Sequence, residues 1–406
     1  MSDLLSNLKF AATATVSAQG RLGSAMKPRH KAAFVTIVPS PYQRDLFGAL
    51  AAREDVDISV YYLESASPDS PWPERTLRPF ERVVPGFWVP AGAARLHVNW
   101  NLPNFMKYDV VVLSTFTSLT GQWLMRHGLG KRPWLFWGER LRGNSGVKDF
   151  LQRGLAAPIS RARGIVGIGS AAVLDYRRRF PRVPQFCIPY HCDLTDFFAI
   201  HHSHETPSPI TFFFCGQMIE RKGVDLLLQA FDQLIRRGIQ ARLLLVGREA
   251  DLPRFMERVS PAARAEIQYA GFQAPERLAE YFRLGDVFLL PSRHDGWGVV
   301  VNQALAAGLP IITSDAVGAG FDLVENGVNG LRVAAGDVGA LYCAMETLAL
   351  NPVLVRRWGE KSRERARNLT PQAGAEKWVQ VFDNLHIVEK RPSDSDIMRF
   401  VSGLSA

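Results

Sequence analysis

The sequence predicts an α/β protein built from two doubly wound parallel sheets. Three observations carry that expectation. Short apolar runs such as Phe34-Val35-Thr36-Ile37-Val38 and Val287-Phe288-Leu289-Leu290 recur with almost no polar alternation, as strands buried on both faces do. Segments with helical spacing lie between them, and strand–helix alternation is the mark of a parallel sheet. The alternation also runs twice, broken by Pro181 to Pro209, where His201-His202-Ser203-His204, Pro207 and Pro209 read as linker.

The first alternation opens with a strand at 32–38, broken by Pro39-Ser40-Pro41, and a helix at 42–52. Strands follow at 56–63, 110–113, 134–137 and 165–168, with helices near 116–127, 145–156 and 171–180. Residues 64–107, rich in Pro, Trp and Arg, read as a long irregular loop, which in a compact domain usually carries function. The boundary holds a short strand at 186–189. The second alternation has strands at 210–215, 242–246, 267–270, 287–290 and 311–313, with helices at 224–237, 252–259, 275–283 and 300–307. Helical patterns close the chain at 337–350, 351–367 and 371–386. The division is a 1–30 extension, a 31–190 domain, a 191–209 linker, a 210–370 domain, a 371–388 helix and a 389–406 tail.

Composition bounds the function. The chain of 406 residues is 47% hydrophobic and 21% charged, as a globular protein of two ordinary domains is. No apolar run approaches the ~18 residues of a membrane span, and Phe10 to Ala18, preceded only by Asp3 and Lys9, makes a poor signal peptide. Leu4, Leu5 and Leu8 suggest a short surface helix. Cys187 and Cys215 read as buried thiols of a reducing compartment. Cys187, Cys192 and His191, or the three linker histidines, are open to metal binding or to a plain structural reading. Residues 1–200 hold 25 Lys+Arg against 15 Asp+Glu, and residues 201–406 hold 23 against 24. The cationic excess of the first half suits an anionic membrane or a lipid-phosphate acceptor, or is a solvated surface. No nucleic-acid motif accompanies it.

The most informative stretch is Pro291 to Asp315, PSRHDGWGVVVNQALAAGLPIITSD. A strand ends at Pro291, a loop carries Asp295, Gly296 and Gly298, and a helix runs from near Val299 to Gly308. In open α/β sheets ligands sit at that strand end, glycines admit close approach, and a helix start favours an anion such as pyrophosphate.

Asp295 and Gln303 enclose seven residues, and D-G-W-G-x-x-x-N-Q-A-x-A-x-G-x-P resembles the donor motif of the family 4 retaining glycosyltransferases. The likeness extends to Phe213-Cys215-Gly216, Lys222-Gly223, Ala270-Gly271-Phe272, Gly327 and Asn329-Gly330-Leu331. It covers the second half of the chain by motif and the first half by architecture. It implies the GT-B architecture, two Rossmann-like domains facing a cleft, with the last helix crossing back to the first domain. It implies a nucleotide-diphosphate sugar as co-substrate and no metal cofactor.

The same resemblance implies the site. Lys222 stands where a family lysine neutralises the donor diphosphate, and fixed cations there lower the barrier as charge collects on the leaving group. The usual arginine after Gly216 is Gln217, and Arg221 is an added cation that either compensates or points to solvent. Asp295 matches the first acidic position, near the donor sugar and phosphates, and equally suits a turn before Gly296. The second acidic position, facing the ribose hydroxyls, is Gln303, which accepts without charge assistance. The backbone of Gly296, Trp297, Gly298, Val299 and Val300 lies where amides meet phosphate, with the Trp297 ring open to a packing role. Gly247 ends a neighbouring strand, and Gly271 and Phe272 border the nucleotide base.

In the first domain the usual Gly-Gly loop is replaced by Pro39-Ser40-Pro41-Tyr42-Gln43-Arg44. Glu139, in Trp137-Gly138-Glu139-Arg140, is a candidate sugar-facing group or a capping or salt-bridged side chain. Asp55/Asp57 and Asp394/Asp396 form Asp-x-Asp pairs away from any credible cleft position. The expectation is a retaining glycosyltransferase at the cytoplasmic face of the membrane, acting on a lipid-linked or polysaccharide-precursor acceptor. The alternatives are an inactive nucleotide-sugar-binding partner of a glycan-assembly complex and a sugar-nucleotide epimerase.

Overall fold

The computed structural model describes residues 30–389, apart from 67–75, 92–93, 142, 144–145 and 203–208. The expected surface helix at Leu4–Leu8, His204 of the linker and the Asp394/Asp396 pair lie outside the described residues.

The first domain is built on β1 (His30–Thr36), β2 (Val56–Tyr62) and β3 (Glu81–Val83). Past the hairpin of β4 (Gly86–Ala91) and β5 (Ala94–Asn99) come β6 (Val110–Leu113), β7 (Trp134–Gly138), β8 (Gly164–Gly167) and β9 (Gln185–Cys187). Its sheet has the order β3-β2-β1-β6-β7-β8-β9, and every pair is parallel. The second domain holds β10 (Ile210–Cys215), β11 (Ala241–Val246), β12 (Ile267–Tyr269), β13 (Val287–Leu290), β14 (Ile311–Ser314) and β15 (Gly330–Val333). Its parallel sheet has the order β12-β11-β10-β13-β14-β15. In both sheets the strand order reverses beside the first strand, at β1/β6 and β10/β13. That reversal opens a crevice at the carboxyl ends of the strands.

The strands are apolar because helices cover both faces. Phe212, Phe213 and Phe214 are consecutive and all buried. The chain then returns: helix Pro371–Glu389 packs on helix Pro41–Ala51. Its Trp378 ring stands 5.1 Å from Phe34 and 5.4 Å from Trp137 inside the first domain, and Asp383 bonds His30 at 2.9 Å.

Four expectations need correction. Residues 64–107 are not irregular throughout: they hold β3 and the hairpin. Gly330–Val333 is a strand, although it contains Arg332. The helix expected at 252–259 ends at Met256, and a separate short helix, Pro261–Ala265, starts behind the Ser260 cap. The helix expected near 116–127 is α-helical only over Leu119–Trp123 and continues as a π turn to Gly128.

Arg44, from the loop that departs from the resembled family, is structural. Its guanidinium makes two bonds to Glu81, 2.8 and 2.6 Å. Tyr62 and the Arg78 amide complete the Glu81 carboxylate. The pair ties the helix after β1 to β3, and both side chains are buried. Breaking one partner of a buried pair leaves an uncompensated charge. Arg44→Met should therefore lower unfolding free energy in urea by about 3–5 kcal/mol, and Arg44→Met with Glu81→Leu should recover much of it. A single variant within about 1 kcal/mol of the wild type would show that the pair is not what holds β3.

Candidate functional site

The loops at the carboxyl edge of the second sheet are tied edge to edge. Gly216 donates to the Val246 carbonyl at 2.9 Å, and Gly247 donates to the Gly271 carbonyl at 2.9 Å. Gly247 has φ 138, and a Cβ there would stand 1.8 Å from the Gly216 carbonyl oxygen. Only glycine allows these two strand ends to meet. Gly216, Gly247 and Gly271 thus form one continuous rim.

The turn Glu220–Lys222 leads into helix Val224–Arg236. It is clamped to the loop after β13 by Arg293, whose backbone N–H donates to the Arg221 carbonyl at 2.8 Å. The Arg293 guanidinium bonds both Asp225 oxygens at 2.6 Å and the Glu220 carbonyl at 2.6 Å. This clamp brings Lys222 Nζ to 2.5 Å from Asp295 Oδ2, with the side chains 16% and 11% exposed. Asp295 is fixed by backbone bonds to Ala316 and Gly318. Arg221 is half-buried and donates to the His294 carbonyl at 3.1 Å, so it lies along the same loop.

The first domain supplies the opposite wall. Glu139, at the end of β7, accepts from the Tyr190 hydroxyl at 3.0 Å, and the Tyr190 ring stands 4.7 Å from Tyr42. A Cβ on Gly296 would stand 2.0 Å from Glu139 Oε2, so this carboxylate touches the loop after β13. Burial raises the Glu139 pKa and the Asp295 charge adds to it, while Tyr190, Lys222 and Arg221 oppose the shift. Burial and the Glu139 charge likewise raise Tyr42 and Tyr190, so both phenols are neutral hydrogen-bonding groups.

The structure therefore gathers Lys222, Arg221, Asp295, Gly296 and Glu139 in one cleft. Gln303 lies on helix Val300–Ala306, and its Oε1 is buried without a hydrogen-bond partner among the described residues. Such an orphan acceptor is costly unless something donates to it. The Gly298 and Val299 amides donate to no described residue. Gln217 is half-buried beside Gly216, and Phe272 is exposed beside Gly271.

The Trp297 ring takes the packing role that its position left open. Its side chain is fully buried, lies against Gly169 of the first domain and bonds Asn302 at 3.0 Å. Asn302 in turn donates to the Tyr190 carbonyl at 2.8 Å. Trp297 thus packs between the domains, leaving only its backbone to a ligand. His191 and Cys192 are buried while Cys187 is exposed. His191 Nδ1 lies 2.7 Å from the Pro189 carbonyl oxygen, and burial lowers its pKa to about 4. Among the described residues no three His, Cys, Asp or Glu side chains form a metal-ligand group.

Sequence reasoning missed Tyr42, Tyr190 and Asp322. Asp322 accepts from the Ser170 amide at 2.7 Å across the domain boundary. Folding alone brings the two tyrosines together beside Glu139, whereas Asp322 lies at the domain boundary. Arg293, two residues before Asp295, carried a signal: a cation followed by Asp295 and preceded by a strand end.

Comparison with known proteins bears on the second domain and on the fold. Residues 209–351 match the family described as Glycosyl transferases group 1. A D-inositol 3-phosphate glycosyltransferase of Rhodococcus erythropolis is 30% identical over 187 residues, 44% of this chain and 40% of the relative. The chain thus matches well under half of that relative's length. Among solved structures, sucrose-phosphate synthase from Thermosynechococcus elongatus has a TM-score of 0.68 at 20% identity, over 89% of this chain and all of that one. Anabaena Alr3699/HepE in complex with UDP has a TM-score of 0.66 at 14% identity, over 87% and 100%. These structures identify the fold as GT-B.

The raised Glu139 carboxyl has a consequence for stability. The folded state holds that proton more tightly than the unfolded chain, so stability falls as pH rises through the folded value. Glu139→Gln removes the loss. Its thermal midpoint should gain on that of the wild type as pH is raised from about 4 to 7, read by calorimetry. A constant difference across that range would show that Glu139 is not desolvated.

Proposed function

We propose that this protein is a retaining glycosyltransferase that moves a sugar from a nucleotide-diphosphate donor to a glycan acceptor. The observation that carries the reading is the Lys222–Asp295 pair at the carboxyl edge of the second sheet, with Glu139 facing it from the first domain. The Alr3699/HepE structure with UDP supports a nucleotide donor on this fold. The acceptor class we propose is lipid-linked or a polysaccharide precursor, met at the cytoplasmic face of the membrane.

In this reading the diphosphate lies over the Gly216–Lys222 loop and against the Gly298 and Val299 amides. The ribose donates to the unpaired Gln303 oxygen, and the base borders Gly271 and Phe272. Lys222 is held by Asp295 until a phosphate arrives. The bond from the sugar's anomeric carbon to the phosphate oxygen breaks, and charge collects on the diphosphate beside Lys222 and Arg221, where preorganised donors stabilise it most. The acceptor oxygen bonds the same face of that carbon, and its proton passes to the departing phosphate oxygen. Glu139, oriented by Tyr190, hydrogen-bonds the sugar. A second reading, a nucleotide-sugar binder without turnover, draws on Gln217 and Gln303 standing where the resembled family has charged groups.

A panel of nucleotide sugars, scored by thermal shift and by sugar transfer to membrane extract, separates these readings: binding without transfer favours the second. On the donor so found, Lys222→Ala should cost roughly 10²–10³ in turnover with the fold intact. Lys222→Arg should recover part of it, because a planar fork differs from a point charge. Asp295→Asn should reduce turnover more than donor binding. Near-normal turnover in both Lys222→Ala and Asp295→Asn would falsify the assigned site.

Gln303 gives an independent check. Gln303→Glu should tighten donor binding by about 1 kcal/mol, the difference between neutral and charge-assisted hydrogen bonds, and Gln303→Leu should weaken it. Donor affinity unchanged in both variants, by calorimetric titration, would place the side chain outside the site.

A further inference from the structure

One face of the first domain carries apolar side chains turned outward. In helix Gly146–Ala156 the residues at i, i+3 and i+4, namely Val147, Phe150 and Leu151, are 73%, 75% and 57% exposed. A helix of a globular domain normally turns that stripe inward. The neighbouring elements continue the surface. Helix Leu119–Trp123 is joined to helix Gly146–Ala156 by Gln122 donating to the Leu155 carbonyl at 2.8 Å. Its Trp123 is exposed. On the other side Thr120 accepts from the Asn99 amide of β5 at 2.9 Å. That hairpin and its edge expose Trp88 and Trp100. Three hydrogen-bonded neighbouring elements thus each expose aromatic or aliphatic side chains, where a single exposed residue would need no explanation.

The surroundings are cationic. Lys107, Arg126, Lys131 and Arg161 are all exposed. Residues 101–182 contain 14 Lys+Arg and 4 Asp+Glu. Tryptophan with aliphatic side chains, on a stretch of chain that also exposes cations, suits the headgroup region of an anionic bilayer. There the rings enter the interface and the cations meet phosphate.

We propose that this face, formed by hairpin Gly86–Asn99, helix Leu119–Trp123 and helix Gly146–Ala156, docks the protein on an anionic lipid surface. Two of its helices follow β6 and β7, whose carboxyl ends open on the cleft. Helix Gly146–Ala156 begins seven residues after Glu139. A docked protein therefore holds its cleft beside the lipid headgroups. Docking does not depend on the glycosyl-transfer reading, and a binding assay without any sugar tests it alone.

The test is sedimentation of the full chain with vesicles of phosphatidylcholine, alone or mixed with phosphatidylglycerol. The wild type should bind the anionic vesicles, and binding should weaken as salt shortens screening to ~8 Å and below. Phe150→Asp with Leu151→Asp should lose at least about tenfold in partitioning at low and high salt alike, since the apolar term is lost. Arg126→Glu with Lys131→Glu should lose the preference for anionic over neutral vesicles. Val353→Asp, an exposed apolar position of the second domain, should change nothing. Each variant is checked by circular dichroism. No binding by the wild type, equal binding to neutral vesicles, or full binding by Phe150→Asp with Leu151→Asp would overturn the proposal. So would a dimer seen by light scattering that this double variant abolishes in the absence of lipid, which would assign the face to a second copy of the chain.

Discussion

The site depends on a close approach between two backbones and one carboxylate. Glu139 stands against Gly296, and no side chain fits between them. That contact fixes how near the carboxyl edge of one sheet comes to that of the other. Trp297 and Asn302 hold the same approach from beneath, the first against Gly169 and the second on the Tyr190 carbonyl. The loop from Asp295 to Gly298 is therefore held on both sides: its own domain sets its path, and the other domain sets its depth. An ordinary crossover between parallel strands becomes part of a two-sided cleft by this means.

The electrostatics follow from that geometry. Two carboxylates, Glu139 and Asp295, share a site with Lys222 and Arg221. Burial and like charge disfavour the Glu139 anion, and the cations only partly offset this. The Lys222–Asp295 pair is short and mostly enclosed. Each group thus has something to gain from a ligand with both an anionic and a hydroxyl-rich part. In the proposed reading the anionic part meets the cations, and the hydroxyls reach Glu139 and the unpaired Gln303 oxygen.

Much of this was legible in the sequence. Buried parallel strands announce themselves as unbroken apolar runs, so both sheets and their order of elements were readable. The Lys222 and Asp295 loops stood out through their resemblance to the donor motif of the family 4 glycosyltransferases, and the structure brings the two side chains together. The hairpin at Gly86–Asn99 was not. It pairs only with itself, and its exposed Trp and Pro residues carry no inward–outward alternation. Gly330–Val333 was too short and too polar to stand out beside the apolar strands. Tyr42 and Tyr190 lie 148 positions apart and meet only through folding. Arg44 lies in the segment that departs from the resembled family, and its buried partner Glu81, 37 positions away, could not be recognised from sequence.

The return of helix Pro371–Glu389 has a consequence for how the protein is made. Trp378 completes the aromatic cluster of Phe34 and Trp137, so the first domain lacks part of its interior until the last helix has left the ribosome. The second domain, built from residues 210 to 366, is synthesised in between. At roughly 5–20 residues per second, the first domain waits on the order of ten to forty seconds with that apolar surface open. The domain begun first is thus finished last. A nascent chain stalled in the second domain presents chaperones with an unsealed first domain, and proteolysis of the final helix would reopen it in the mature protein.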